Sequence, residues 1–409
     1  MTQQSVPAQT PVIGRNATLD ELAAMIRYEH TRKFDFVAPV STLMVMNGNL
    51  VVAGAEAQIT EEGVDTIDGE YVPTRICDDG FASRLDIPPG YLARCRTNDL
   101  HIFDSNVDGW LRHPTNQGKK YLVRTFRGDS GGPGIARAFL SDSYRPIDHL
   151  DALMAALSGI RNAGVQVQIE HCDLTETRMS VRVACEELRA MAPNLLRNYN
   201  SPFNGGGVER AGGWTLERAR RVAGREGMGF EPGTEPVVFA GFEFSNSETG
   251  HGNLSFAARL IVQACRNGLK VPVPAFKTQH LGAKLDEGVF RWGDETRKRN
   301  LELITAQASD AVTAYLSQDF LNEWVGKVEA LAGAPVEKPE ETIKAVGTKL
   351  TFSKEVQDDI LAHFIRGGQM TAGGVANAIT SVAQTVADAD LAFVLEANAY
   401  RAMELVVAA

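Results

Sequence analysis

"PVVFAGFEFSNSETGHGNLSFAARLIVQAC", residues 236–265, holds two apolar runs on either side of the polar stretch SETGHGN. Each run is long enough for a strand, and the stretch between them has turn chemistry, so the segment reads as a β-hairpin. Upstream, Val165, Val167 and Ile169 alternate with glutamines, and Met179, Val181 and Val183 alternate again after CDLTET. That is a second hairpin with one apolar face. Before it comes a strand, IARAFLS (135–141), and then a helix capped by Asp148, whose Leu150, Leu153, Met154, Leu157 and Ile160 share one side. Hairpins packed by a helix predict an α+β fold with a mainly antiparallel sheet.

Toward the N-terminus, Thr18-Leu-Asp-Glu21 spells a capping box that opens a helix through about Arg27. STLMVMNG and NLVVAG are short strands joined by an Asn-Gly turn, and DIPPGYLARC (86–95) is a proline-initiated turn running into a helix. After Thr296 the pattern turns helical: Leu303, Ile304, Val312, Leu316, Phe320, Trp324 and Val328 recur at helical spacing. A helix from Ser353 ends at Gly367-Gly368. Val375, Ile379, Val382 and Val386 form the next stripe, and a last helix starts near Asp388. The expected organisation is an N-terminal helix with short strands over 1–74, a central α+β domain over 75–300, and an all-helical segment over 301–409 with a linker near 332–342. Within the central domain, residues 201–236 form a glycine-rich insertion carrying Arg218, Arg220, Arg221 and Arg225. A functional loop and a disordered one are both open readings of it.

The formal net charge of −10 is unevenly spread. Residues 75–300 hold 30 Lys and Arg against 26 Asp and Glu, while the two flanks together hold 11 against 25. The middle therefore suits a polyanion that the flanks would repel. No stretch is apolar enough to span a membrane, and MTQQSVPAQT lacks the apolar core of a signal peptide, so a cytoplasmic protein without a membrane partner is expected. Cys77, Cys95, Cys172, Cys185 and Cys265 are widely spaced and include no CxxC pair, which favours reduced thiols over disulfides or zinc.

Several motifs invite chemistry and fail on spacing. RGDSGGPG (127–134) contains the letters that surround the nucleophile of chymotrypsin-type proteases. None of His30, His101 and His113 sits in an AAHC context, however, and only 129 residues precede Ser130. The stretch reads as a glycine turn leading into the strand at Ile135. NGGGVERAGG lacks the GK[ST] of a phosphate loop. HCDLTE gathers His171, Cys172, Asp173 and Glu176, and DSNVDGW (104–110) resembles part of a calcium loop without its distal glutamate; both read as turns. From Gln369 onward Arg401 is the only basic residue, so the helices around RGGQMTAGG pack rather than read DNA. No catalytic residue, metal site or cofactor is expected.

Taken with LDIPPGYLARC before it and FSNSETGHGNLSFAARLIVQACRNGL (244–269) after it, IARAFLSDSYRPIDH (135–149) resembles the phage and plasmid-like proteins grouped as domain of unknown function 932. The likeness in order and spacing runs from about Phe81 to Thr296, roughly half the chain. It rests on the combination of RAFLSDSYR, SNSETGHG and CRNG, and the helical tail is compatible with it. The resemblance implies a bacteriophage or mobile-element origin and supplies neither a reaction nor catalytic residues.

The cluster Arg137, Ser141, Asp142, Tyr144 and Arg145 leaves two readings open. In one, Arg137 pairs with an acid and Tyr144 packs. In the other, Arg137 and Arg145 meet phosphates while Tyr144 stacks on single-stranded bases. The second, joined by Arg218, Arg220, Arg221 and Arg225, leads to an expected role in phage or mobile-element DNA metabolism: single-stranded DNA binding or annealing by a homo-oligomer, without nucleotide hydrolysis. The competing expectation is a non-catalytic assembly or interaction protein acting on a host or phage protein.

Overall fold

A computed structural model describes residues 11–60, 63–128, 131–197, 199, 236–262, 268–272, 276–278, 288–289 and 294–408. In chain order the strands are β1 (Gly14–Ala17), β2 (Phe36–Pro39), β3 (Leu43–Met46), β4 (Asn49–Val52), β5 (Gln58–Thr60), β6 (Gly63–Asp65), β7 (Gly69–Pro73), β8 (Lys120–Phe126), β9 (Gly134–Ser141), β10 (Gln168–Leu174), β11 (Met179–Met191), β12 (Val237–Asn246), β13 (Leu254–Val262), β14 (Gly268–Lys270), β15 (Phe276–Thr278) and β16 (Gly288–Val289). The helices are α1 (Leu19–His30), α2 (Arg75–Leu85), α3 (Pro89–Asn98), α4 (Leu100–Leu111), α5 (His149–Asn162), α6 (Asp294–Tyr315), α7 (Gln318–Ala332), α8 (Pro339–Lys349), α9 (Lys354–Gly367), α10 (Ala372–Thr385) and α11 (Ala389–Val407).

The α+β class, the antiparallel hairpins and the helical C-terminal segment are all present. The strands form two seven-stranded sheets and a separate β5–β6 pair. The first runs β1-β10-β11-β12-β13-β14, with β15 also on β13, and is antiparallel throughout. The second runs β16-β2-β8-β9-β7-β4-β3 and is antiparallel except for the β7–β9 pair. A parallel pair needs a long crossover, supplied here by α2, α3, α4 and β8. Residue 74 lies between β7 and α2, so strands before and after it share this second sheet.

Strand β12 shows why the quoted hairpin dominates. Its Val238, Ala240, Phe242 and Phe244 enter a core shared with Leu22 and Ile26 of α1, Leu153 and Ile160 of α5, and Ile304 and Val312 of α6. Val237 and Phe239 pack on the opposite face with Ala184 and Ile261. A strand covered on both sides reads as a near-continuous apolar run. Gly241 is required where strands crowd: a Cβ there would lie 2.5 Å from the Val183 carbonyl oxygen. In the second sheet, Phe36, Val123 and Phe139 pack on Phe81, Phe103 and Val107 of α2 and α4.

Local signals act as their chemistry requires. Thr18 and Glu21 close the capping box, and α1 continues to His30, a few residues past the expected end. Asn47 and Gly48 take φ of +53° and +79° in the β3–β4 turn. Ser353 caps α9, which ends at Gly368, and Asp388 caps α11. Two expectations need correction. Val165 and Val167 precede β10, which starts at Gln168. Asp104–Trp110 is the body of helix α4 rather than a turn, because Phe103, Val107 and Leu111 bury one face of it. Cys77, Cys95, Cys172 and Cys185 are free and buried; Cys265 lies outside the described residues. Among the described residues no helix is long and apolar enough to cross a membrane.

Candidate functional site

The polar end of the β12–β13 hairpin meets the second sheet in a buried ionic junction. Arg124 on β8 projects from the sheet face opposite Val123. Arg137 on β9 is the extra residue of a β-bulge, because Arg124 pairs with Ala138 whereas Thr125 pairs with Ala136. Bulges re-aim side chains, and here both guanidinium groups reach Glu248 in the hairpin turn. Arg137 Nη1 donates to Glu248 Oε2 at 2.8 Å, and Arg124 Nη1 donates to the Glu248 carbonyl oxygen at 3.0 Å. Arg124 also donates to Asp35 Oδ2 at 2.8 Å and to Asp148 Oδ1 at 2.7 Å. Lys33 bridges Asp148 and Glu248, and the His149 backbone N–H donates to Glu248 Oε1 at 2.6 Å. Arg124 and Glu248 are each only 1% exposed.

Electrostatics follow from this packing. Burial opposes ionisation of Glu248, but His149, Lys33, Arg124 and Arg137 outweigh it and hold the carboxyl well below the usual range. Asp148 is lowered in the same way: Lys33 and Arg124 override its burial. This explains why Asp148 stands at the N-cap of α5 without a side-chain capping bond. Burial pushes His149 down to about 4. Its Nδ1 lies 3.0 Å from Asn246 Nδ2, a donor that a neutral ring accepts. Glu29 is pushed up by burial, even though it accepts from Val12 N–H at 2.8 Å. A cavity of about 10 Å³ between Glu29, Thr74, Arg137, His149 and Glu248 has room for one water and none for an organic substrate.

A second buried cluster lies between the first sheet and α11. Arg182 reaches Asp173 at 2.9 Å and lies 3.5 Å from both Glu243 and Glu396. Arg259 meets Glu396 at 3.0 Å, and Lys270 meets Glu243 at 2.7 Å. Arg178 pairs with Asp390 at 2.9 Å and stacks on Phe393. Glu396 and Asp390 come from the acidic C-terminal flank, as Asp35 comes from the N-terminal one. The strand cations of the middle thus face carboxylates of the same chain.

The exposed counterpart is the α3–α4 face. Asp104 and Asp108, one turn apart, accept from Val45, Asn47 and Gly48 N–H groups and so fasten α4 to the edge strand β3. The outer side of α4 carries Ile102, Asn106 and Trp110 at four-residue intervals, and Asn106 Nδ2 donates to the Tyr91 hydroxyl at 3.2 Å. Tyr91 is 46% exposed, Ile102 43% and Trp110 39%. Trp110 stacks on His113 with ring centres 5.0 Å apart. Arg84 and Arg94 are exposed on α2 and α3 with no ion pair to a described residue.

Of the residues singled out from sequence, Arg137 and Tyr144 come together at the junction, and both turn inward. Tyr144 donates to the Ser247 carbonyl oxygen at 2.9 Å, and burial pushes its phenol up. Arg137 stacks over Phe126. This is the paired-and-packed arrangement rather than the phosphate-and-base one. Arg145 is half-buried. Ser130, Arg218, Arg220, Arg221 and Arg225 lie outside the described residues. His171, Cys172 and Asp173 belong to strand β10, not to the turn, and only Glu176 follows it. Among the described residues no group of three His, Cys, Asp or Glu is placed to hold a metal ion. Sequence reading missed Lys33, Asp35, Arg124, His149 and Glu248. The available signal was a charged residue inside an apolar strand, as in KYLVRTF (120–126). No family model, curated protein or solved structure matches the chain.

Proposed function

We propose that this is an interaction protein that docks a protein partner on its α3–α4 face. The observation that carries the reading is the grouping of half-exposed Tyr91, Ile102 and Trp110 with Arg94, an exposed arginine one turn from Tyr91 on α3 and without an ion pair to a described residue. Tyr, Trp and Arg are the residue types that dominate binding energy at protein interfaces. The junction supports the same view from the other side: its arginines are neutralised by carboxylates and leave no site for a ligand larger than water.

Single-stranded nucleic-acid binding is the second reading, and one feature favours it. Two aromatic rings with an exposed arginine also suit stacked bases and a phosphate. Against it stand the net charge of −10 and the inward turn of Arg137 and Tyr144.

A photo-crosslinking side chain at position 102, installed in the full chain in cells, separates the outcomes. Docking predicts a discrete protein adduct that Trp110→Ala abolishes and that the same group at Thr348, exposed on α8, does not give. No adduct, or the same adducts from both positions, overturns the reading. Titrating the purified chain with oligothymidylate at low ionic strength should leave its tryptophan emission unchanged. Saturable quenching lost in Arg94→Glu would put the strand-binding reading in its place.

A further inference from the structure

The partner chemistry that fits the α3–α4 face is present on the chain itself. Helix α9 packs inward through Val356, Ile360 and Phe364. Its outer side carries Asp358, Ala362 and Ile365 along one stripe, with Glu355 and Asp359 alongside. Ile365 is 56% exposed, and Met370 just past the helix is 45% exposed. Asp358 and Asp359 are exposed without an ion pair to a described residue. One surface is thus aromatic with an arginine at its rim, and the other is aliphatic with carboxylates at its rim.

We infer that the α9 face of a second copy of this chain occupies the α3–α4 face, giving a head-to-tail assembly. The inference rests on the docking reading above and names its partner. Ile365 and Met370 cover Ile102 and Trp110, while Asp358 and Asp359 meet Arg94. The charge balance of the segments agrees, since residues 301–409 hold 15 Asp and Glu against 7 Lys and Arg. Opposite charges around an apolar centre speed encounter and fix register. Because two different patches meet, the contact is heterologous and closes into a ring or grows as a filament.

The test is light scattering and sedimentation velocity on the purified full chain. The expected result is a mass above one chain that rises with concentration and falls with added salt. Arg94→Glu and Asp358→Lys should each block growth. An equimolar mixture of the two should grow again, because the intact faces pair with each other and the exchanged charges at positions 94 and 358 pair in the reverse sense; a mixture that stays monomeric overturns the inference. Joining both changes in one chain should restore growth, because the exchanged charges attract across the contact in the reverse sense. Both positions are exposed, so far-ultraviolet circular dichroism should match the parent.

A chain that stays monomeric at every concentration, or variants that assemble like the parent, overturns the inference. If the chain is monomeric while position 102 still crosslinks a different protein, only this inference falls. If it is monomeric and position 102 crosslinks nothing, the docking reading falls with it.

Discussion

Arg137 and Arg94 belong to the same basic middle of the chain and have opposite fates. Arg137 emerges from a bulged strand between two layers, meets Glu248 and is 5% exposed. Arg94 stands exposed on a short helix whose inner side is filled by Leu92 and Cys95. The junction holds two sheets in register, whereas the helical face is free to hold another molecule. Linear charge counts cannot separate these uses, because both arginines add one to the same total. What separates them is the element that carries the residue. A charge inside a doubly covered strand must find an internal partner, while a charge on the outer side of a surface helix need not.

The largest break in this contrast should come from Glu248→Gln. It leaves Lys33, Arg137 and Arg124 around a neutral amide, and removing one partner of a buried ion cluster costs about 3–5 kcal/mol. Urea unfolding followed by circular dichroism would measure it. Acid should act on the same cluster in two stages. Folded His149 stays neutral down to about 4, whereas the unfolded ring takes a proton near 6.5. The unfolded chain therefore binds more protons between those values, and stability falls by roughly 3 kcal/mol as pH drops through that window. Below the ordinary carboxylate range the contributions of Glu248 and Asp148, both lowered in the folded chain, are lost as well. Glu29, raised by burial, works in the opposite sense. A pH series on His149→Asn should show a flatter slope between 6.5 and 4 than the parent.

A smaller loss is expected from Glu396→Gln. Arg259 then loses its carboxylate, but Arg182 keeps Asp173 and Glu243, so the cost should be about 2 kcal/mol. Thermal unfolding would rank it against Glu248→Gln, and equal losses would erase the distinction between the two clusters. The smallest effect belongs to the exposed face. Ile102→Ser should change stability by less than about 0.5 kcal/mol. A larger loss in urea unfolding would mean that this face is part of the core.

The elements with local signals were legible. Alternation exposed the β10–β11 hairpin and paired apolar runs the β12–β13 one, Asn47-Gly48 marked a turn, and Thr18, Ser353 and Asp388 marked helix starts. The second sheet was not, because β7 pairs in parallel with β9 across some sixty intervening residues and neither strand announces the other. SETGHGN read correctly as a turn, yet nothing local says that Glu248 is buried; that depends on Arg124, more than a hundred residues earlier. The α3–α4 face was hidden for a related reason. Asp104 and Asp108 read as turn residues, but their i, i+4 spacing on a helix served to bind the backbone of a neighbouring strand edge.

The central claim is that the positive charge of the sheet strands is neutralised by the chain's own carboxylates. A double-mutant cycle on Arg137→Met and Glu248→Gln, read by urea unfolding, tests it most directly. The account predicts that the pair of changes together costs at least about 2 kcal/mol less than the sum of the single ones, as expected for groups in contact. Additive costs within about 0.5 kcal/mol would mean that the guanidinium and the carboxylate act independently, and would contradict it.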